Sequence, residues 1–431
     1  MRRVYMLCVG WAAAVGLLSG CAALAVDPPL PPPVSVGPVQ VKAVRWLAEG
    51  YNPVWAADGS FFVVSRWKKG FFRYSADGSR QSRLGKNSEG FCDLSPDGKS
   101  VLYCQTRSNK GGQTRYAYGV GLMRTDGTGR RLVNKNTGFA KWSPDGRYFL
   151  CQTEPHQGWQ EGPVFVYDRA GKLVRRLDYA VGPPSWSGDS QYLAYVGKAG
   201  KIYLARGDGS SPKVGDQPTG GEPYARLWWS PRGHNLLYAW NKDRYWVPTS
   251  PLCYLAPGST PIEMCDTSRT VTWAPTGDRA AALDGQGMLT VFAFPGGKAP
   301  EARSDHEVGR EGVKYVWSGD GRSLLYATRE GVWCATEGVE EDRPLNLSMA
   351  FYPHAALAGD CVVGLEPPAR SGSESEWGRP WVVDWRGGDA FPLYPKPDAY
   401  CSSYKIAPAC AGRALIVDFG RPLLFRVTPR Q

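Results

Sequence analysis

His156, His234, His306 and His354 are the only histidines of the 431-residue chain. No two of them lie within the few residues that let a pair of imidazoles share one metal ion, so a metal centre would have to be assembled from distant loops. Neither a metal nor another cofactor is expected. No G-x-S-x-G elbow is present to present a serine nucleophile. The eleven cysteines offer a second chemistry; setting aside Cys8 and Cys21, nine remain, so they cannot all pair internally. Cys92 and Cys104 lie symmetrically about Gly98, and Cys253 and Cys265 about Ser259. A hairpin folded at either point sets its two cysteines opposite each other, at the roughly 5 Å Cα separation that a disulfide accepts. The same residues serve equally well as small buried apolar side chains. The third chemistry is recognition. Trp67, Trp159, Trp240 and Trp246, with Arg107, Arg115 and Arg244, stand in stretches of variable length, and tryptophan with arginine is the composition of binding hot spots.

The elements that must position these residues form a repeat. Trp142-Ser143-Pro144-Asp145-Gly146-Arg147 is echoed by Leu94-Ser95-Pro96-Asp97-Gly98-Lys99 and Trp317-Ser318-Gly319-Asp320-Gly321-Arg322. The anchors Trp55, Leu94, Trp142, Trp186, Trp229, Trp273 and Trp317 are 39, 48, 44, 43, 44 and 44 residues apart. A period of ~40–50 residues made of strands and turns is that of a β-propeller, one blade per repeat. Proline presets φ at the first central turn position and glycine supplies the positive φ that ends it, which describes a type I turn closed by a glycine bulge. A short apolar strand follows, as in Leu236-Leu237-Tyr238, and a third strand runs into a second turn, as at Asp208-Gly209.

After the seventh anchor the pattern weakens. Cys361-Val362-Val363 with Trp381-Val382-Val383 reads as an eighth repeat, and Ala414-Leu415-Ile416 with Leu423-Leu424-Phe425 as a ninth that lacks its outer strand. Residues 41–47 can supply that strand, which pairs the two chain ends and leaves no open edge. The expected fold is therefore an all-β propeller of four-stranded blades, closed by N- and C-terminal strands. Nine repeats are counted, with eight blades as the alternative. The six anchor tryptophans recur at one repeat position and are assigned to blade packing, each burying ~150–250 Å².

If the first strand of each blade is innermost, the two short turns of every blade share one rim. The opposite rim carries the second-to-third-strand loops and the links between blades, where the length variation falls. Residues 105–118 there hold Arg107, Lys110 and Arg115 and no acid, and the fifth repeat offers Trp240, Arg244 and Trp246. Binding concentrates on variable loops of a rigid frame, so a partner is expected on this rim.

Ahead of the repeats, Arg2 and Arg3 precede an apolar run over residues 4–18, closed by Leu18-Ser19-Gly20-Cys21. Residues 1–20 read as a secretory signal, too short for a spanning helix of ~20 apolar residues. The ending resembles the bacterial lipobox, which implies lipidation of Cys21. Ala22 and Ala23 follow, so the resemblance favours the outer membrane, facing the periplasm, where the host has two membranes. Residues 21–40 read as a lipidated cysteine and proline-rich tether, and 41–431 as a single propeller. Discounting Arg2 and Arg3, 49 Lys+Arg stand against 40 Asp+Glu, a charge of +9. For an exported chain that charge suits an anionic envelope polymer or lipid headgroup better than nucleic acid.

The W-S-P-D-G-(K/R) turn and the Ile202-Tyr203-Leu204…Asp208-Gly209 strand resemble the TolB-type, WD-repeat-like propeller repeat. The resemblance covers almost all of the mature chain and implies fold rather than function. TolB's α/β domain has no counterpart ahead of these repeats, so its partners are not carried over. The function expected is a monomeric, membrane-anchored, non-catalytic scaffold for an envelope protein or anionic glycan. The alternative is a carbohydrate-recognising or lyase-type propeller acting on acidic sugars, because such propellers use loop histidines and a metal. Aromatics gathered with histidines and carboxylates around the central opening would favour that alternative.

Overall fold

The computed structural model describes residues 27–430 apart from 49, 67, 109–114, 154–160, 217–223, 242–250, 266–267, 285, 296–299, 309–313, 329, 358–359, 368–376, 395–400, 403–405, 409–412 and 419–420. The recurring turn shows why these residues fold as they do. Gly98 N–H donates to the Ser95 carbonyl (2.8 Å), and Ser95 N–H to the Ser100 carbonyl (2.9 Å). Asp97 accepts from the Ser95 hydroxyl (2.7 Å) and Lys99 N–H (3.1 Å), while Ser95 Oγ accepts from Ser100 N–H (2.8 Å). Gly98 takes φ 68°, the left-handed value that a type I turn with a glycine bulge needs. Repeat 4 places Ser190 at φ 62° instead, and its hydroxyl accepts Asp145 N–H from the neighbouring turn (2.9 Å), a tie glycine could not make.

Each turn joins a first strand to a nearly fully buried second one, such as Phe61–Arg66 or Ser323–Ala327. Among the described residues the strands form eight antiparallel sheets. Five have four strands in chain order, for example Tyr51–Trp55, Phe61–Arg66, Gly70–Ser75 and Gln81–Arg83 of repeat 1. One has seven strands because Leu173–Trp186 runs on without a break. It begins as the last strand of repeat 3, with Leu173 opposite Tyr167, and ends as the first strand of repeat 4, with Trp186 opposite Leu193. First strands of successive repeats approach one another, as Tyr315–Trp317 does Tyr352–Ala356, which puts them on the inside of a propeller.

The chain ends meet as the repeat pattern expects. Val39–Trp46 pairs with Pro422–Pro429, from Val39 opposite Pro429 to Trp46 opposite Leu423. The tether differs from expectation. Val34–Val36 folds back through Gly37 (φ 50°) to pair with Val39–Trp46 as a fifth strand. Asp27 bonds to Arg421 (2.6 Å), and Trp46 Nε1 donates to the Pro28 carbonyl (2.8 Å). Residues 27–36 therefore belong to the last sheet, because Val34 and Val36 alternate as strand residues behind the prolines.

Neighbouring repeats are held together by clusters of buried apolar side chains. Phe61, Val63 and Phe71 of repeat 1 pack on Leu94, Val101 and Tyr103 of repeat 2, and Trp55, Phe62 and Tyr74 of repeat 1 pack on Ile416 and Leu424 of repeat 9. The anchor tryptophans add a polar tie to the inner strand of the preceding repeat. Trp229 Nε1 donates to the Ser185 carbonyl (2.9 Å), Trp273 to Trp228 (3.0 Å), Trp317 to Thr272 (3.0 Å) and Trp55 to Ala407 of repeat 9 (3.2 Å). Trp142 and Trp186 Nε1 are buried without a hydrogen-bond partner among the described residues. Beside Trp142, a bulge lies between Phe91 and Asp93, and the Asp93 carboxylate accepts the backbone N–H of Trp142 (2.9 Å).

Candidate functional site

Much of the rim that carries the variable connections lies outside the described residues. Cys21, Trp67, His156, Trp159, Arg244 and Trp246 fall there. Arg107 and Arg115 are not loop residues: the second and third strands of repeat 2 run as Ser100–Ser108 and Arg115–Arg124, with Arg107 opposite Tyr116. The pairing continues to Ser108 opposite Arg115, which shortens the loop expected over 105–118. Trp240 is also a strand residue, opposite Ala225. It is half-buried against Tyr238 with ring centroids 5.0 Å apart, so it packs the interface between repeats 4 and 5.

The cysteines divide into two cases, and all of those described are free thiols. Cys104 lies opposite Gly90, and the bulge brings Cys92 onto the same face, where its thiol hydrogen-bonds to Cys104. That bond first, and burial second, raise the Cys92 thiol well above its ordinary pKa. The Cys253–Cys265 pairing is corrected by the register. Cys253 lies opposite Glu263 and Cys265 opposite Leu252, with a bulge between, so the two thiols occupy opposite faces of the sheet. Symmetry about Ser259 could not reveal that one-residue slip.

Three of the four histidines tie repeats together or sit on an inner strand. His234 Nδ1 bonds to Asp189 (2.7 Å) across the turns of repeats 5 and 4. His354, on the inner strand of repeat 8, has its pKa lowered by burial and then by Lys314. His306 Nδ1 bonds to Asp342 (2.6 Å), and the same carboxylate accepts the Tyr326 hydroxyl. Burial first, then Asp342, pushes that phenol well above its ordinary pKa. Among the described residues no group of three or more His, Cys, Asp or Glu is placed to hold a metal ion.

His306 and Asp342 line a cavity of about 530 Å³ between repeats 6 and 7, opening among the short turns. Its floor is apolar, from Val291, Phe294, Trp317 and Leu324, and neither serine nor cysteine lines it. Arg279, Arg303 and Arg322 are matched by Asp278, Glu337, Glu340 and Asp342, and Arg279 is already paired with Glu337. Such a lining accommodates a group carrying both charges. It has no surplus of cations for an acidic sugar. Sequence reasoning missed this site because its parts come from two repeats and from turns that look uniform.

No protein-family model matches this sequence, and neither does any curated protein. Among solved structures, the C-terminal WD40 domain of Sif2 is similar over 90% of this chain and 99% of that one, at 12% identity and a TM-score of 0.50. A eukaryotic initiation factor is similar over 84% of this chain and 90% of that one, at 11% identity and a TM-score of 0.54. At these identities the likeness is one of fold, that of a β-propeller.

Proposed function

We propose that this chain is a non-catalytic binding scaffold: a ring of nine blades, closed by its N- and C-terminal strands, exported and held at the cell envelope through a lipid on Cys21. It carries a protein or anionic polymer on the rim of variable connections. One observation supports the closed frame above others. The tie from an anchor tryptophan to the preceding inner strand recurs between Trp55 and Ala407, the two ends of the repeat series. A frame so fixed presents loops without itself deforming. Two measurements test the reading. Metabolic acyl labelling should mark the wild type and not Cys21→Ser. Binding of the partner cross-linked to the chain in envelopes should weaken about tenfold in Arg115→Ala with Trp246→Ala, and not in Lys99→Ala with Arg322→Ala on the opposite rim. Equal losses from both pairs would move the functional face to the short-turn rim.

A further inference from the structure

The outermost strands divide the propeller's circumference by charge. On repeats 2 to 4 the exposed charged residues of these edges are mainly basic: Arg131, then Lys172, Arg175 and Arg176 with Asp178 as the one acid among them, then Lys213. On repeats 6 to 8 they are mainly acidic: Glu301, Asp305 and Glu307, then Glu340 and Glu341, then Asp389. The cations within the acidic arc are tied down locally. Arg303 bonds to Glu301 (2.7 Å), Arg386 to Asp360 (2.9 Å), and Arg343 to the Trp385 and Arg386 carbonyls.

Charged edge strands by themselves guard a sheet against pairing with another chain. That role needs charge of either sign and is undone by exposed aliphatics. Here the signs are segregated, and the basic arc exposes Leu132 (38%), Leu173 (49%), Val174 (37%) and Val214 (49%). The acidic arc exposes Val339 (58%) and Phe391 (39%). All six stand in or just after the turn between third and fourth strands, hence at one height on the circumference.

We propose that copies of this chain associate edge to edge, the basic aliphatic arc of repeats 2 to 4 of one copy against the acidic arc of repeats 6 to 8 of the next. Charge and apolar surface are complementary at a common height, so the copies lie side by side in one plane. The net charge, +11 for the whole sequence and +9 from residue 21 onward, opposes this only weakly at physiological salt, where screening acts over ~8 Å and local pairs dominate. The geometry rests on the nine-blade reading. The arc centres, repeats 3 and 7, are four steps of ~40° apart, about 160°, so the contact is heterologous and builds a gently curved row rather than a closed dimer. Four of the six outer strands, Arg131–Asn134, Lys213–Asp216, Arg343–Leu345 and Ala390–Pro392, have three or four residues and are at most ~13 Å tall. The contact is therefore at the weak end of specific interfaces, below ~1,200 Å² in total, and needs high local concentration, such as anchoring to one membrane would supply.

The test uses the full chain with Cys21→Ser, which removes the acyl group, by light scattering and sedimentation. Its mass should equal one chain at about 1 μM, rise at least about twofold near 200 μM, and return to one chain in 1 M NaCl. Arg175→Glu with Arg176→Glu should abolish the rise, as should Glu340→Lys with Glu341→Lys. Mixing the two variants should restore it, because each altered arc then meets its complement. Unchanged urea midpoints show that the variants fold. A single-chain mass at every concentration overturns the proposal, as does failure of the mixture to associate. So does a wild type that stays monomeric but floats with phosphatidylglycerol vesicles through Arg175 and Arg176, since the arc would then be a membrane face. Partner binding by the arginine variant, measured separately, should be unchanged, so that loss of the row and loss of the scaffold function are told apart.

Discussion

Replacing an anchor tryptophan by phenylalanine should have opposite consequences at two positions that the repeat makes equivalent. Trp229 and Trp142 are both buried, at 9% and 3% exposure, and both lose the same indole-to-phenyl area. That loss is ~40–50 Å², or about 1 kcal/mol. At Trp229 the substitution also removes the bond to the Ser185 carbonyl, a further ~1 kcal/mol, and leaves that oxygen one partner short. At Trp142 it removes a buried N–H without a partner, whose desolvation costs about 1–3 kcal/mol. Trp229→Phe should therefore destabilise by about 2–3 kcal/mol, and Trp142→Phe by about zero or less. Urea unfolding followed by far-ultraviolet circular dichroism, compared at a common m-value, reads the difference directly. Equal losses at the two positions would show that Trp142 Nε1 does have a partner, and the reasoning would fail.

Other outcomes follow from particular contacts. The Asp320 carboxyl is held below its usual range of about 3.8 by the Ser318 hydroxyl and Arg322 N–H, and Asp58 by Ser60 in the same way. Carboxylates depressed in the folded state stabilise fully above their unfolded pKa, so Tm should hold from pH 7 to 5 and fall progressively below about pH 4; a Tm that rises on acidification would contradict this. Mild oxidation should close Cys92–Cys104, slowly because the Cys92 thiol is raised, and should not close Cys253–Cys265; non-reducing peptide mapping distinguishes the two. Gly188→Ala should cost about 1–3 kcal/mol, because a Cβ there meets the Pro231 carbonyl oxygen at 2.3 Å. A variant with wild-type urea midpoint would show that the turn of repeat 5 can move away.

The sequence was most informative where one repeat speaks for itself. The Ser-Pro-Asp-Gly turn, the buried second strands and the pairing of residues near 41–47 with the C-terminal strand are local patterns, each enforced by proline, glycine or alternation. What escaped reading depends on the neighbour. Gly188 stands where repeats 2, 3, 5 and 6 carry proline, and the next turn approaches it closely, while Ser190 accepts a bond from the turn before. The bulges at Cys92 and beside Cys253 set which cysteines share a face, and nothing in residue type marks a bulge. The cavity at His306 needed Asp342 from the following repeat. The run of Leu173–Trp186 through two repeats escaped because Gly182, Pro183 and Pro184 look like a break.

The pairing of Val39–Trp46 with Pro422–Pro429 also dictates an order of events during synthesis. Its partners are separated by almost the whole chain, so closing that loop costs ~5 kcal/mol of chain entropy against under ~2 for a turn hairpin. It is the last pairing that can form. Until residue 429 emerges, Val39, Val41 and Ala43 have no partner sheet to bury them, on a strand that could pair with any other nascent chain. The short hairpin made by Val34–Val36 is complete within the first fifty residues and covers one edge of that strand from the outset. A substitution that breaks it, such as Gly37→Val at its left-handed turn, would thus show itself first as misassembly during production, and only afterwards as lost stability in the finished protein.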